Sequence, residues 1–260
     1  MSSFENKVVI LTGCSSGIGL ATAKLFLERQ ARVFGVDIAP FKEDLSSKSD
    51  AFSFHQANLT EPEACSKAVE ACIAKFGPQI HVLINCAGVM DSWGSADTLK
   101  DSEWDRVISI NLTVPVRLMT AVLPSMKEHK GGAIVNVSSK AGLSGAAAGI
   151  AYTASKHGLV GATKNVAFRF RQENIRCNAV LPGGVPTNIS TSMEMGNFDQ
   201  AAFANGLPVL GLHIPKDENG EMKPVIGVDD IARSIAFLAS DDAKTISGAL
   251  LPVDAAWSTI

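Results

Sequence analysis

The stretch IAYTASKHG, residues 150–158, contains a tyrosine and a lysine whose types and spacing could carry acid–base chemistry. Tyr152 is the single tyrosine among 260 residues, although the chain contains 12 phenylalanines. On a helix, residues four apart lie on one face with Cβ atoms about 6 Å apart, which would place Lys156 beside the phenol. A phenol with its ordinary pKa of about 10 is a poor proton acceptor at neutral pH, but a neighbouring ammonium lowers that pKa. We therefore predict a proton-transferring pair; the plain alternative is a core tyrosine beside a surface lysine.

Two further polar residues are placed where they could serve the same chemistry. Ser139 ends the apolar run AIVNVSS (133–139), 13 residues before Tyr152. Ligands bind at the carboxyl ends of strands in open α/β sheets, so its hydroxyl could polarise a substrate oxygen. Strand alternation points the neighbouring Ser138 to the other face. Asn111 lies within a helical pattern, where asparagine is a poor helix former, which indicates a hydrogen-bonding role.

A glycine-rich turn, TGCSSGIG (12–19), joins the first apolar run to the first helical pattern. In a strand–turn–helix context, such a turn lets a pyrophosphate approach backbone N–H groups at a helix N-terminus. Its spacing is G-x-x-x-G-x-G, which is neither G-x-G-x-x-G nor a P-loop. We predict a dinucleotide-binding turn here, with a simple chain reversal as the alternative.

Asp37 ends the second apolar run, 18 residues after Gly19. A carboxylate at this position accepts hydrogen bonds from the adenosine ribose and repels a 2′-phosphate. Positions 38–40 hold no arginine or lysine, and Lys42 is the nearest cation that follows. The residue therefore favours NAD over NADP, and a solvated aspartate in a turn is the alternative.

The elements that must position these residues alternate along the chain. Apolar runs typical of buried parallel strands lie at 7–13, 31–37, 81–85, 133–139, 175–182 and 248–254. Helical patterns lie at 17–30, 61–76, 102–129 with a break near Pro115, 151–171 and 229–240. This order predicts an α/β fold, a doubly wound Rossmann-type parallel sheet with helices on both faces, in one domain over 1–260. Thr60 and Glu63 predict a capping box, and residues 187–227 predict a mobile loop or lid.

Composition excludes several classes of function. The net charge is -3 and 19% of residues are charged, without a basic block, so nucleic acid and membrane surfaces are not expected partners. No apolar run reaches the ~18 residues of a membrane span, and the N-terminus lacks a signal-peptide pattern. Five cysteines without a C-x-x-C pair predict free, mostly buried thiols in a reducing compartment, the cytoplasm. Five scattered histidines predict no metal site.

Together these motifs resemble those of the short-chain dehydrogenase/reductases. TGCSSGIG is similar to the family's cofactor motif, and NCAG (85–88) is similar to its N-N-A-G element. LPGGVPT (181–187) is similar to the P-G-x-V-x-T segment that flanks the nicotinamide in the family. The resemblance implies hydride transfer between a substrate carbon and a nicotinamide. Its implied catalytic residues are Asn111, Ser139, Tyr152 and Lys156.

The resemblance also assigns a role to each of these residues. Tyr152 would be the acid/base, and Lys156 would lower its pKa and bind the nicotinamide ribose. Ser139 would hold the reacting oxygen, and Asn111 would position a water. The implied cofactor-binding residues are Gly13, Ser15, Ser16, Gly17, Ile18, Gly19, Asp37, Ile38, Asn58, Leu59, Asn85, Ala87, Gly88, Tyr152, Lys156, Pro182, Gly183, Val185 and Thr187.

Three segments of the chain depart from the family's pattern. Asn58 stands where the family commonly has an aspartate that contacts adenine, and its carbonyl oxygen could still accept that bond. Cys86 replaces the second asparagine of N-N-A-G, which alters a structural hydrogen bond. LPVDAAW (251–257) stands where the family usually has LPVDGG, so we expect the C-terminal tail to pack differently.

An apolar substrate pocket is predicted around Met90, Trp93, Ser139, Met193 and Met195, although apolar residues of 187–227 could equally pack that segment onto the body. Such a pocket suits a hydrophobic secondary alcohol or ketone rather than a sugar phosphate, and we expect a role in secondary metabolism; terpenoid, steroid and polyketide alcohols are the types to screen. His157 and His213 are predicted to be surface or lid residues without a catalytic role. NAD favours oxidation of an alcohol; the alternatives are an NADP-dependent ketone reductase and a non-catalytic dinucleotide-binding redox sensor. Family members usually form homodimers or homotetramers.

Overall fold

A computed structural model describes residues 3–45, 50–214, 218–221, 223 and 225–259. Its centre is a seven-stranded parallel sheet in the order β3-β2-β1-β4-β5-β6-β7. The order reverses between β1 and β4, the point at which doubly wound sheets bind ligands. The predicted fold class is confirmed. The strands are β1 (Val8–Thr12), β2 (Arg32–Asp37), β3 (Phe52–Gln56), β4 (Val82–Asn85), β5 (Gly132–Val137), β6 (Ile175–Pro182) and β7 (Leu250–Val253).

Helices cover both faces of the sheet, because alternate residues of each strand point to opposite sides. Val9 and Leu11 of β1 belong to one apolar cluster, and Val8 and Ile10 belong to the other. The first cluster lies under α1 and α7, and the second lies under α2 and α4. The α-helices are α1 (Gly17–Glu28), α2 (Ala64–Phe76), α3 (Asp101–Ile108), α4 (Val114–Glu128), α5 (Ile150–Arg169), α6 (Gln200–His213) and α7 (Val228–Ala239).

The predicted break near Pro115 is present as a π-helical turn, Ser109–Thr113, between α3 and α4. Proline has no N–H to donate to the carbonyl four residues earlier, which is that of Asn111. The helix widens there, so the amide of Val114 donates to Ser109 O. Such π turns occur frequently at functional sites. This one holds Asn111, which is fully buried.

The combined run 101–128 is long and apolar enough, by composition, to cross a membrane. The expectation that the chain contains no such segment was therefore wrong. In this fold, however, Leu118, Val122 and Met126 of the run are fully buried against the sheet. The run is thus a core helix of the α/β sandwich.

Three details of the predicted elements are also wrong. The capping box is absent, because Glu63 has a left-handed backbone (φ 61°) and α2 begins at Ala64 without a side-chain cap. Strand β3 was not predicted, since as an edge strand it is only half-buried and its apolar pattern is weak. Residues 187–227, predicted as a mobile loop or lid, are not one long loop: the described part contains short 3₁₀ turns and the 14-residue helix α6.

Candidate active site

A cavity of about 460 Å³ opens at the carboxyl ends of the strands, beside the switch point between β1 and β4. Most residues predicted for the cofactor and substrate line it, although they come from seven separate parts of the chain. Those lining residues are Gly13, Ser16, Gly17, Ile18, Gly19, Asp37, Ile38, Asn58, Leu59, Ala87, Gly88, Met90, Trp93, Ser139, Tyr152, Lys156, Pro182, Gly183, Val185 and Thr187.

Five predicted site residues do not line the cavity: Ser15, Asn85, Asn111, Met193 and Met195. Asn85 is buried, and its Nδ2 donates to Asn136 Oδ1 at 2.8 Å across β4 and β5. The placement of both methionines in the pocket is corrected, because Met195 is 70% exposed and Met193 lies outside the lining. The 3₁₀ turn Asn188–Ser192, which precedes both methionines, instead contributes Ile189 and Ser192, and α6 contributes Leu210.

The glycine turn is packed too closely for side chains. A Cβ on Gly13, which has φ +73°, would lie 2.9 Å from the Ala87 backbone, and one on Gly19 would lie 1.9 Å from Gly13 O. Helix α1 begins at Gly17, and neither a side-chain cap nor an acidic residue occupies its first turn. Its first N–H groups are therefore available to an anion, which the helix dipole favours. These residues fit the pyrophosphate of a dinucleotide.

Asp37 holds the glycine turn to the end of β2. Its Oδ2 accepts a hydrogen bond from Ser15 N at 2.9 Å, and its Oδ1 accepts one from Ala39 N at 2.9 Å. The hydroxyl of Ser15 donates to Ala39 O at 3.1 Å. Beside it the Ile38 side chain is 65% exposed, which leaves an apolar surface at the cavity rim. The carboxylate is thus fixed in place at this end of the cavity.

Asn58 lines the same end, but its carbonyl oxygen is already engaged. Oδ1 accepts hydrogen bonds from Thr60 N at 3.2 Å and from Thr60 Oγ1 at 2.8 Å. A carbonyl oxygen has two lone pairs, so an adenine amino group would compete with this turn. The implied adenine contact of Asn58 therefore stays a prediction.

The reactive residues meet at the other end of the cavity. Tyr152 lies in the first turn of α5 and is 6% exposed. Ser139, two residues after β5, contacts the phenol through a hydrogen bond and caps a 3₁₀ turn, with its Oγ accepting from Ala141 N at 3.1 Å. Ser138 Oγ turns away and donates to Lys156 O at 3.2 Å. The choice of Ser139 over Ser138 as the serine facing the tyrosine therefore agrees with the geometry.

Burial changes the proton affinities of the pair. It raises the pKa of the Tyr152 phenol to about 12, an effect that the Ser139 hydrogen bond opposes and the charge of Asp91 increases. Burial also lowers the pKa of Lys156 to about 8. The expected lowering of the tyrosine pKa is thus outweighed in the protein alone, because a buried phenolate loses its hydration.

Asn111 acts on the loop that follows β4. Its Oδ1 accepts from Val89 N at 2.9 Å, and its Nδ2 donates to Val89 O at 2.9 Å and to Ser155 Oγ at 3.2 Å. The side chain therefore joins this loop to α5, the helix of Tyr152. The implied water-positioning role of Asn111 stays a prediction.

Sequence reasoning missed Trp257, which is 5% exposed and lines the cavity. Its ring stacks on His213, with centroids 4.5 Å apart, and its carbonyl accepts from Lys140 Nζ at 2.9 Å. His213 is buried, and its Nε2 accepts from Gly184 N at 2.7 Å, so the expectation of a surface position for His213 was wrong in this respect. It does lie at the end of α6, and His157 is exposed as expected.

The two alanines of LPVDAAW (251–257), where the sequence departs from the family pattern, lie in a tight turn before Trp257. Ala255 and Ala256 both have left-handed backbones, with φ of 48° and 69°. The family usually has glycine at both positions, and glycine adopts this conformation without strain. The two alanines keep the turn that brings Trp257 to the cavity at a cost of about 1 kcal/mol each.

Trp93 forms a second aromatic wall. Its backbone is also left-handed (φ 68°), and its side chain is 8% exposed. The indole lies edge-on to Phe203, with centroids 5.1 Å apart, and packs on Gly206 of α6, where a Cβ would be 2.7 Å away. The predicted pocket residue thus connects the loop after β4 to the helix that covers the cavity.

Comparison with known proteins shows the family of this chain. A family model described as short chain dehydrogenase matches residues 7–197. The short-chain dehydrogenase/reductase olcF of Penicillium canescens is 50% identical over 262 residues, 100% of both chains. Asnovolin H dehydrogenase nvfC of Aspergillus novofumigatus (strain IBT 16806) is also 50% identical over 262 residues, 100% of both chains. The structure of 3-ketoacyl-(acyl-carrier-protein) reductase from Brucella melitensis complexed with NADH is similar, with TM-score 0.80, 28% identity and coverage of 98% of this chain and 100% of that one.

Proposed function

Since the chain belongs to the short-chain dehydrogenase/reductase family of oxidoreductases, we propose that it oxidises a hydrophobic secondary alcohol to a ketone with NAD. One observation carries the proposal: Tyr152, Ser139 and Lys156 meet at the inner end of a mainly apolar cavity whose other end is the glycine turn. When bound, the nicotinamide cofactor accepts the hydride from the alcohol carbon, or supplies it to the ketone carbon in reverse. The protein's own residues orient the substrate oxygen, transfer the proton and exclude water.

Ser139 donates a hydrogen bond to the substrate oxygen and orients it toward the phenol. Tyr152 then takes the hydroxyl proton in oxidation, or gives a proton to the carbonyl oxygen in reduction. The charge of Lys156 stabilises the phenolate. The apolar walls exclude water that would compete for the hydrogen bonds of Ser139 and Tyr152 with the substrate oxygen. Asn111 holds α5 and the loop after β4 together through its hydrogen bonds to Ser155 and Val89.

The preference for NAD rests on Asp37. Its carboxylate is anchored by two backbone N–H groups, so it cannot readily turn away from a 2′-phosphate. Charge repulsion in this partly buried setting disfavours the phosphorylated cofactor. The related 3-ketoacyl reductase structure contains NADH, which supports the same choice.

The substrate class rests on the walls near Tyr152. Trp93, Met90, Ile189, Leu210 and Trp257 are apolar or aromatic, and Ser192 is among the few polar side chains at this end. Such walls favour an apolar ring system over a sugar phosphate. That a relative at 50% identity is named asnovolin H dehydrogenase supports dehydrogenation of a small organic molecule.

Reduction of a ketone in the same site is the second candidate. One observation favours it: burial raises the pKa of Tyr152 to about 12, which keeps the phenol protonated and ready to act as an acid. Both directions use the same three residues, so the choice between them depends on the cofactor and on the substrate.

A cofactor-coupled absorbance assay tests the proposed function. Purified protein is mixed with NAD and a panel of terpenoid, steroid and polyketide secondary alcohols, and then with NADH and the matching ketones. We expect turnover with NAD or NADH for at least one apolar pair and none with sugar phosphates. Tight NADH binding without turnover on any pair would instead support a dinucleotide-binding sensor.

Assembly and location are further proposals. Exposed apolar side chains on the outer faces of α4 and α5, Val116 and Phe168, suit contact with other copies in a homodimer or homotetramer. Sedimentation of the purified protein would distinguish these states from a monomer. All five cysteines are free thiols, four of them buried, which is consistent with the cytoplasmic location we propose.

A further inference from the structure

A buried carboxylate connects the start of α5, which carries Tyr152, to the loop after β4, which carries Trp93. Asp91 is 1% exposed and lies in the loop after β4. Its Oδ2 accepts from Tyr152 N at 2.8 Å, and its Oδ1 accepts from Gly149 N at 3.0 Å. Oδ1 also has a longer contact, 3.4 Å, with Trp93 N. One side chain thus holds the backbone of the acid/base residue and the backbone of a substrate wall.

This arrangement replaces an ordinary helix cap. The residue before α5 is Gly149, which has no side chain to cap the helix. Asp91 caps it instead from a distance of 58 residues along the chain. A Cβ on Gly149 would lie 2.6 Å from Asp91 Oδ2, so only glycine admits the carboxylate. The N-terminus of a helix also favours a negative charge.

We propose that Asp91 is a positioning residue, which sets the Tyr152 phenol against the Trp93 wall and acts on the phenol through its charge. The inference rests on the proposed function, because it concerns the residue that transfers the proton there. It differs from an ordinary structural cap in one respect: the same carboxylate fixes the location of the phenol and opposes its ionisation.

The charged groups around Asp91 and Tyr152 determine the sign of that electrostatic effect. Burial raises the pKa of Asp91, the three N–H groups lower it, and the nearby Glu103 raises it. Glu103 is itself buried, accepts from Ser92 N and Oγ at 2.9 and 2.6 Å, and lies 3.9 Å from Arg106 Nη2. On the other side, Lys156 Nζ lies 5.4 Å from the Tyr152 ring centre. Since the charge of Asp91 raises the pKa of Tyr152, its removal should make the phenol easier to ionise.

The single tyrosine allows this effect to be measured without a substrate. Labelling with tyrosine carrying ¹³C at Cζ gives one resonance, whose chemical shift reports the ionisation of Tyr152. The titration is recorded on cofactor-free protein, at pH values where circular dichroism shows the native fold. In Asp91→Asn we expect the titration to move to lower pH by about half a unit to one unit. Turnover in the coupled assay should fall about 10- to 100-fold, since misplacing a reacting group is costly.

Two further variants separate position from charge and from general capping. Gly149→Ala displaces the carboxylate but retains its charge, so turnover should fall while the titration moves less than in Asp91→Asn. Asp230→Asn removes a matched cap on α7, where Oδ2 accepts from Gly227 N at 2.8 Å, and should leave both readouts unchanged. If Asp91→Asn does not fold, Gly149→Ala carries the test, and normal turnover in that variant overturns the proposal.

Turnover and the Tyr152 titration together decide the outcome. A lower turnover together with a titration at lower pH supports the proposal. An unchanged turnover overturns it, and so does a lower turnover with an unmoved titration, since that would describe a structural cap alone. Inactive Tyr152→Phe with normal Asp91→Asn overturns this inference only, whereas active Tyr152→Phe overturns the proposed function as well.

Discussion

The Nζ atom of Lys156 lies 5.4 Å from the ring centre of Tyr152 and donates a hydrogen bond to Val137 O at 3.0 Å. The lysine is therefore held between the end of β5 and the tyrosine, one helical turn along α5. The same burial that holds it lowers its pKa to about 8 and raises that of the phenol to about 12. Ionisation of the Tyr152 phenol near neutral pH therefore requires positive charge close to the phenolate oxygen.

Lys156→Met should move the pH dependence of alcohol oxidation to higher pH. Oxidation needs the phenolate as base, so its rate rises with pH, and loss of the neighbouring ammonium destabilises that base. We expect a shift of about one unit or more in the rising limb of kcat/KM. Lys164→Met, at an exposed position on the same helix, is the control and should leave the limb in place. A Lys156→Met limb that coincides with that of the unmodified protein would contradict this role.

Replacement of the two adjacent serines should have unequal effects. Ser139→Ala removes the hydroxyl that contacts the phenol, and kcat/KM should fall about 100-fold. Ser138→Ala removes only a hydroxyl that donates to Lys156 O, so we expect a loss of less than about tenfold. Steady-state kinetics on both variants measure this difference. Equal losses, or a larger loss in Ser138→Ala, would mean that the wrong serine has been assigned.

Asp37→Asn should weaken the discrimination between the two cofactors. The amide keeps an oxygen that can accept from one of the two N–H groups, but the negative charge that repels a 2′-phosphate is lost. The ratio of NADPH to NADH dissociation constants, measured by fluorescence titration, should fall by about tenfold or more, which corresponds to about 1.4 kcal/mol. If the unmodified protein already binds NADPH more tightly than NADH, the argument from Asp37 fails.

Glycine at both positions 255 and 256 should stabilise the protein. The Ala255→Gly/Ala256→Gly variant removes the strain of two left-handed alanine backbones. Glycine also raises the conformational entropy of the unfolded chain, but this cost is smaller, so the free energy of unfolding should rise by about 1 kcal/mol. Thermal unfolding should therefore shift upward by about 2–4 °C. Ala201→Gly, at an exposed position in α6, should shift it downward instead. A lower melting temperature in the double variant would show that the alanines are not strained.

The residues that could be recognised from sequence are those whose partners are set by local periodicity. Tyr152 and Lys156 share a face because they are one helical turn apart, and the glycine turn precedes the first helix. The strand-end position of Ser139 follows in the same way. Each of these depends on short spacing within one element, which is why the structure brings them together as expected.

The features that were missed depend on contacts between distant segments. Asp91 caps a helix 58 residues away, and Trp257 lines the cavity after two alanines with left-handed backbones. Neither leaves a periodic signal. Met195 was assigned to the pocket because it is apolar, but Ile189, in the preceding 3₁₀ turn, lines the cavity, and Met195 is 70% exposed. Side-chain direction in an irregular segment is not encoded by residue type alone.

Replacement of the single tyrosine by phenylalanine tests the central claim most directly. Tyr152→Phe removes one oxygen from a ring that is already buried, so the fold and the cofactor cleft should be retained. NADH affinity, measured by fluorescence, should therefore stay within about twofold of that of the unmodified protein, while kcat falls by at least about 1,000-fold. Turnover near the original rate in a variant that binds NADH normally would contradict the assignment of Tyr152 as the proton carrier.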